Sequence, residues 1–187
     1  MSTMLFLSCS LRPDDDAQVN VYFKDVFKFY DIETETINIP GLSEEQVIEL
    51  VKQNIPKVEG VIVLWTPRYC INGYLPSMWT ILESVFGIAK DKPVYVFYEQ
   101  GISLEGPLKA MGEVRVEFNR LYFTNQQEHE RLCSWARWIK EDLERKRAEN
   151  FGKSVGNAIL YGLGALSLLG LGFVFGMAYG SKNGGKT

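Results

Sequence analysis

Short, continuously apolar runs separated by helical patterns are the feature that most limits the folds open to this chain. The runs cover residues 4–9 ("MLFLSC"), 60–65 ("GVIVLW") and 93–98 ("PVYVFY"), while residues 32–39 alternate like a half-exposed strand. The stretches between them carry apolar residues at helical spacing. Strands that are apolar on both faces occur almost only in parallel sheets covered by helices. The pattern therefore predicts a three-layer α/β fold with a mainly parallel sheet.

Charge, cysteine and histidine content narrow the classes of function. The formal net charge of −3 provides no basic surface for nucleic acid, so no nucleic-acid partner is expected. The three cysteines are far apart, which predicts neither a disulfide framework nor a metal site. His129 is the only histidine that could activate a Ser or Cys nucleophile, and its polar surroundings favour an exposed helix start.

The C-terminal part of the sequence differs from the rest. Residues 154–181 contain no charged residue, and as a helix they would extend about 40 Å, more than the ~30 Å hydrocarbon core of a bilayer. Gly172, Gly176 and Gly180 would share one face of such a helix. Small residues on one face let membrane helices approach closely, so the pattern predicts a membrane partner and a homo-oligomer.

The distribution of basic residues predicts an orientation for that helix. Four basic residues lie within 145–153 and two within 182–186. Because cytoplasmic flanks carry the excess of Lys and Arg, the N-terminal domain is expected in the cytoplasm. The sequence thus predicts an α/β domain over 1–149, a single transmembrane helix over 150–181 and a polar tail over 182–187, located in the cell membrane.

Glu83 is the candidate for chemistry, because it stands among apolar residues on a helix that Ser77 opens as its cap. Ligands of open α/β sheets bind outside the carboxyl ends of the strands, and this helix follows such an end. Trp79 lies one turn before Glu83 on the same face and could stack on a base, while the carboxylate could stabilise an oxocarbenium ion. The alternatives are a solvated carboxylate paired with Lys90 or Arg68, and a core role for Trp79.

Over residues 4–140 four segments, in this order, resemble the Toll/interleukin-1 receptor (TIR) domain, which has a flavodoxin-like three-layer architecture. They are a Ser-containing loop with a basic residue (Ser8 to Arg12), the turn Pro40-Gly41, the S-x-W-x-x-x-E signature of Ser77, Trp79 and Glu83, and the strand at 93–98.

The resemblance implies an enzyme that hydrolyses NAD at the nicotinamide–ribose bond, acting as a membrane-anchored effector in antiviral defence. It implies Glu83 as the catalytic carboxylate and a set of substrate-binding residues, with no metal and with NAD as substrate rather than cofactor. It also implies self-association through TIR surfaces, in addition to the glycine face. The substrate-binding set is Ser8, Ser10, Arg12, Trp65, Ser77 and Trp79.

Two alternatives remain open. In the first, the domain is not catalytic and binds a nucleotide or a partner domain. Its effect is then produced by the oligomerising transmembrane helix, through membrane disruption or signalling. In the second, the chain resembles the related nucleoside deoxyribosyltransferases, which share the architecture and place a Glu on the equivalent helix. The acidic residues that usually precede that Glu are absent from residues 65–82.

Overall fold

A computed structural model provides the structure of the protein, in which the chain divides into the units Met1–Leu143 and Glu144–Thr187. The residues that the structure describes are 3–9, 15–37, 42–67, 69–70, 74–120 and 124–151. Of the second unit, residues 144–151 are described, and they are helical.

The first unit is an α/β fold with a five-stranded, all-parallel sheet. Its strands are β1 (Thr3–Cys9), β2 (Ile32–Glu35), β3 (Gly60–Trp65), β6 (Val94–Glu99) and β7 (Val114–Phe118), in the spatial order β2-β1-β3-β6-β7. The helices of this unit are α1 (Asp15–Phe29), α2 (Glu44–Asn54), α3 (Met78–Ala89) and the part up to Leu143 of α4 (residues 126–151), with short 3-10 turns at Ile55–Lys57 and Gly106–Ala110. A separate antiparallel hairpin joins β4 (Tyr69–Cys70) to β5 (Tyr74–Leu75). The predicted parallel α/β architecture is confirmed.

The sheet separates two hydrophobic cores because successive side chains of each strand point to opposite faces. One face carries Leu5 and Leu7 of β1, Ile62 and Leu64 of β3, and Tyr95 and Phe97 of β6; these pack with α1 and α4 in the first core. The other face carries Phe6, Val63, Trp65 and Val96, which belong to the second core together with Val51 of α2. All six residues of β3 are buried, as its continuous apolar run requires.

The strand order changes direction between β1 and β3. From β1 the chain moves outward to β2, then returns across β1 to build β3, β6 and β7 on the other side. The register Leu5↔Gly60 through Cys9↔Leu64 aligns the carboxyl ends of the two strands. In folds of this kind the crevice at such a switch point is where ligands bind.

Helix α3 lies close to the sheet but presents a polar stripe to it. Its buried residues are Thr80, Glu83, Ser84 and Gly87, whereas its large apolar side chains are partly or largely exposed, with Met78 61%, Val85 43% and Ile88 47% exposed. A Cβ atom on Gly87 would approach Cγ2 of both Val61 and Val94 to 2.9 Å, closer than real Cβ contacts. The absence of a side chain at this position therefore sets how near α3 comes to β3 and β6.

The predicted membrane-spanning helix is corrected by the structure. In the part of the chain that the structure describes, no helix combines the length and the apolar character needed to cross a membrane. The predictions of a membrane partner and of a single-pass location are wrong on this finding. Residues 154–181 and the glycine face at Gly172, Gly176 and Gly180, from which the span and the homo-oligomer were predicted, lie outside the described residues.

Candidate active site at the carboxyl edge of the sheet

Glu83 lies in the second turn of α3 and points at the sheet. The helix begins at Ser77, whose hydroxyl accepts a hydrogen bond from the backbone N–H of Trp79 at 3.3 Å. From this start, Thr80, Glu83 and Ser84 fall on the buried face, and Glu83 is only 9% exposed. This geometry differs from a solvated surface carboxylate paired with Lys90, since Lys90 is exposed at the C-terminal cap of the helix.

Ser8 is the hydrogen-bond partner of Glu83. It is the next-to-last residue of β1, pairs in register with Val63 of β3, and shares the sheet face of Phe6, against which α3 lies. Its side chain is 1% exposed, and its hydroxyl donates to Oε2 of Glu83. Two residues 75 positions apart are thus joined at the point where the strand order reverses.

Burial dominates the electrostatics of Glu83. Desolvation raises the pKa of its carboxyl to about 7, and the hydrogen bond from Ser8 opposes that rise because it favours the ionised form. A carboxyl with this pKa is present in both protonation states near neutral pH. Groups tuned in this way are suited to nucleophilic or acid–base chemistry.

Cys9, the last residue of β1, is electrostatically linked to the same carboxylate. Burial, and next the negative charge of Glu83, raise the pKa of the Cys9 thiol to about 12, against an opposing effect of Lys24. The thiol is therefore protonated at neutral pH and adds no charge to the site. The sequence predicted no role for Cys9; its place directly after Ser8 at a strand end is the signal that brings it here.

The other predicted substrate-binding residues have different placements. Trp65, the last residue of β3, is fully buried, and its indole N–H has no hydrogen-bond partner among the described residues. Ser77 serves as the helix cap, and Trp79 is half-buried one turn before Glu83. Ser10 and Arg12 lie outside the described residues. Of the predicted set, the structure brings Ser8 and Glu83 together at one edge of the sheet, with Trp65 at the end of the adjacent strand β3.

No ligand set for a metal is present in the described ranges, where no group of three or more His, Cys, Asp or Glu side chains is arranged to hold an ion. The expectation that the protein needs no cofactor stays a prediction.

Comparison with known proteins gives fold-level likeness only. No protein-family model and no curated protein matches the chain. Among solved structures, a CMP N-glycosidase from Clostridium botulinum shares 14% identity and a TM-score of 0.46, over 68% of this chain and 94% of that one. A conserved protein from Enterococcus faecalis V583 shares 14% identity and a TM-score of 0.45, over 54% and 65% of the two chains. A 2-deoxyribosyltransferase from Leishmania mexicana shares 13% identity and a TM-score of 0.44, over 51% and 64%. The chain thus spans just under two thirds of the length of the last two proteins.

These findings correct the predicted TIR resemblance. None of the three similar solved structures is a TIR domain by name; two of them are a CMP N-glycosidase and a deoxyribosyltransferase. The predictions that depended on the resemblance are wrong with it: NAD hydrolysis by a membrane-anchored defence effector, a non-catalytic TIR-like module with a membrane output, and self-association through TIR surfaces. Pro-Gly pairs and serines are common at turns and helix starts, so four short matches in order were too weak to define the family.

Proposed function

We propose that this protein cleaves the N-glycosidic bond of a nucleoside or nucleotide, with Glu83 as the carboxylate that reacts at the anomeric carbon. The observation that carries the proposal is the buried Ser8–Glu83 pair at the switch point of the sheet. Cleavage of a glycosidic bond passes through an oxocarbenium-like transition state, which a carboxylate next to the anomeric carbon stabilises. A carboxylate in a desolvated position interacts more strongly with that developing positive charge than one in water.

In the proposed reaction, an oxygen of ionised Glu83 forms a bond to C1′ of the sugar as the C1′–N bond breaks. The base leaves with the bonding electron pair and takes a proton from solvent. Water, or a second base, then displaces the carboxylate from C1′, which completes hydrolysis or transfer. Ser8 donates to Oε2 and so holds the carboxylate in one orientation while it favours the ionised form.

The remaining predicted residues have roles in this proposal as binding groups. The buried indole N–H of Trp65 is a donor that finds no partner in the described part of the chain. Leaving such a group unsatisfied costs roughly 1–3 kcal/mol, which a substrate oxygen or nitrogen would recover. Trp65 and Ser8 stand on the same face of adjacent strands. The register puts the Cα atoms of Trp65 and Ser8 about 8 Å apart, so their side chains border the same region of this face. Trp79 is half-buried beside this edge and offers a ring for stacking on a base.

The test is an assay for released base with a panel of ribo- and 2′-deoxyribonucleosides and their 5′-phosphates. We expect one class of substrate to be cleaved, and Glu83→Gln to lower the turnover rate by at least roughly 10³-fold. Glu33→Gln, an exposed carboxylate on β2, is the matched control and should leave the rate unchanged. Adding a second free base distinguishes transfer from hydrolysis, because only transfer yields a new nucleoside.

The pH dependence separates the proposed role from that of a general acid. If Glu83 reacts in its ionised form, kcat/KM rises as pH increases through about 7 and then reaches a plateau. A rate that falls over the same range, a Glu83→Gln variant as active as the wild type, or no released base from any substrate would contradict the proposal.

A further inference from the structure

A second cluster of chemically active side chains lies on the other side of the sheet from Glu83, between α1 and α4. The hydroxyl of Tyr22 on α1 is hydrogen-bonded to Nδ1 of His129 on α4, and the two rings are 5.9 Å apart between centroids. The other ring nitrogen of His129, Nε2, is 3.5 Å from Sγ of Cys133. His129 and Cys133 are four residues apart on one helix, so both side chains lie on the same face.

The two contacts of His129 are consistent with one tautomer. When Nδ1–H donates to the oxygen of Tyr22, Nε2 has a free lone pair and accepts the proton of the Cys133 thiol. The ring orientation is fixed from a different helix, so Nε2 stays aimed at the sulfur as side chains on α4 move. A nucleophile, a base within hydrogen-bond reach, and a third group that orients the base are the parts of an activated nucleophile.

Access distinguishes Cys133 from Cys9. His129 is exposed and Cys133 is half-buried at the rim of the first core, so a small reagent reaches the sulfur from solvent. Cys9 is held as a neutral thiol by burial and by Glu83, with a pKa of about 12. Because the thiolate is the form that attacks, Cys9 is the internal reference for an unreactive thiol.

We propose that Cys133 is a modification site for low-molecular-weight disulfides, with His129 as the base and Tyr22 as the residue that positions it. The thiol proton of Cys133 passes to Nε2 of His129, and the sulfur attacks one sulfur of a disulfide RS–SR. A new S–S bond joins Cys133 to one RS group, and the other leaves as RS⁻. Cys133 is oxidised, the added disulfide is reduced, and a thiol reverses the step. The proposal is independent of the reaction at Glu83.

The experiment uses the full chain with 5,5′-dithiobis(2-nitrobenzoate) as the first probe and glutathione disulfide as the second. Released thiolate gives the rate, and peptide mapping by mass spectrometry identifies the modified cysteine. We expect Cys133 to be modified first, faster in the folded protein than in the same protein unfolded in urea, and Cys133→Ser to remove the fast phase.

Three variants test the assigned roles. A positioned base contributes roughly 10²–10⁴-fold to a proton transfer, so we expect His129→Gln and His129→Asn each to slow modification of Cys133 by about tenfold or more. Tyr22→Phe keeps the ring and loses the hydroxyl, and we expect a smaller decrease of about threefold. Gln127→Ala, an exposed position on the same helix, is the control and should leave the rate unchanged.

Three results would overturn the proposal. They are first modification at another cysteine, a Cys133 rate no higher in the folded than in the unfolded protein, and an unchanged rate in both His129 variants. Protection of Cys133 by added Zn²⁺ at equimolar concentration, with no modification by either disulfide in its absence, would assign the His–Cys pair to metal binding instead.

Discussion

Replacing Glu83 by Gln is expected to stabilise the protein at alkaline pH while it removes the proposed activity. Gln has the shape of the protonated carboxyl and cannot ionise, so it keeps an acceptor for the Ser8 hydroxyl without the cost of a buried charge. The pKa of Glu83 rises from an ordinary value of 4.5 to about 7 in the folded protein. At about 1.4 kcal/mol per pH unit, ionising this carboxyl in the folded state therefore costs about 3 kcal/mol of stability.

The direction of this change in stability with pH follows from how many protons the folded and the unfolded chain bind. At pH values below 4.5 the carboxyl of Glu83 is protonated whether the chain is folded or unfolded, so ionisation carries no cost. Between 4.5 and about 7 the unfolded chain releases the proton that the folded chain retains, and the stability of the wild type falls as pH rises. Above about 7 the full cost of about 3 kcal/mol is present, and the Gln variant does not bear it.

The assay is urea unfolding of wild type and Glu83→Gln at about pH 4.5 and about pH 8. The two proteins should have similar free energies of unfolding at the lower pH, and the variant should be more stable by about 3 kcal/mol at the higher pH. Other titrating groups are common to both proteins and cancel in the comparison, and Glu33→Gln controls for the loss of a carboxylate at an exposed position. A difference that is the same at both pH values would refute the assignment of Glu83 as a desolvated carboxyl.

Two further predictions concern the groups that hold Glu83 in place. Ser8→Ala removes the hydrogen bond that favours the ionised form of Glu83, so the pKa of Glu83 should rise further. The rise of kcat/KM with pH should then occur at higher pH than in the wild type. An unchanged pH profile would contradict the role of Ser8. Gly87→Ala places a Cβ atom 2.9 Å from side-chain atoms of Val61 and Val94, so α3 must move away from the sheet. We expect the free energy of unfolding, measured in urea, to fall by roughly 1–3 kcal/mol and the activity to decrease. Wild-type stability in this variant would show that the two valines move aside without cost.

Most of the sheet could be predicted from the sequence because its signal is local. The strand at Gly60–Trp65 has the predicted bounds, since its continuous apolar run covers the same six residues, all of which are buried. Alternation over residues 32–39 predicted a longer β2, but the strand ends at Glu35, opposite Phe6, the last pair of its register with β1. Alternation shows which faces a strand presents, but it does not show where an edge strand stops pairing.

The site was predictable only in part. The position of Glu83 after a strand end pointed to the crevice, but its burial and its bond with Ser8 depend on contacts between residues 75 positions apart. The apolar run over residues 4–9 predicted a strand to Cys9, whereas the resemblance placed Ser8 in the loop that follows; Ser8 lies within β1, on the face that α3 covers. His129 was expected in an exposed helix start, and its contact with Tyr22 was not predicted, because that contact joins two helices that the sequence does not place together.

The polar stripe of α3 has a consequence for how the domain opens. Most helices are held to a sheet by buried apolar side chains, at about 25 cal/mol per Å² of area removed from water. In α3 the apolar contacts with the second core come from the partly buried Ile81 and Phe86, while the buried residues are Thr80, Glu83, Ser84 and Gly87. The hydroxyls of Thr80 and Ser84 bond to the backbone of their own helix, at Ser77 and Thr80, so they add nothing between α3 and β3. The helix that carries the reacting carboxylate is therefore expected to open locally before the strands beneath it, and its amides should exchange with solvent sooner than those of β3. Water and substrate would then reach Glu83 through fluctuation of a single helix, while the first core, on the other side of the sheet, stays closed.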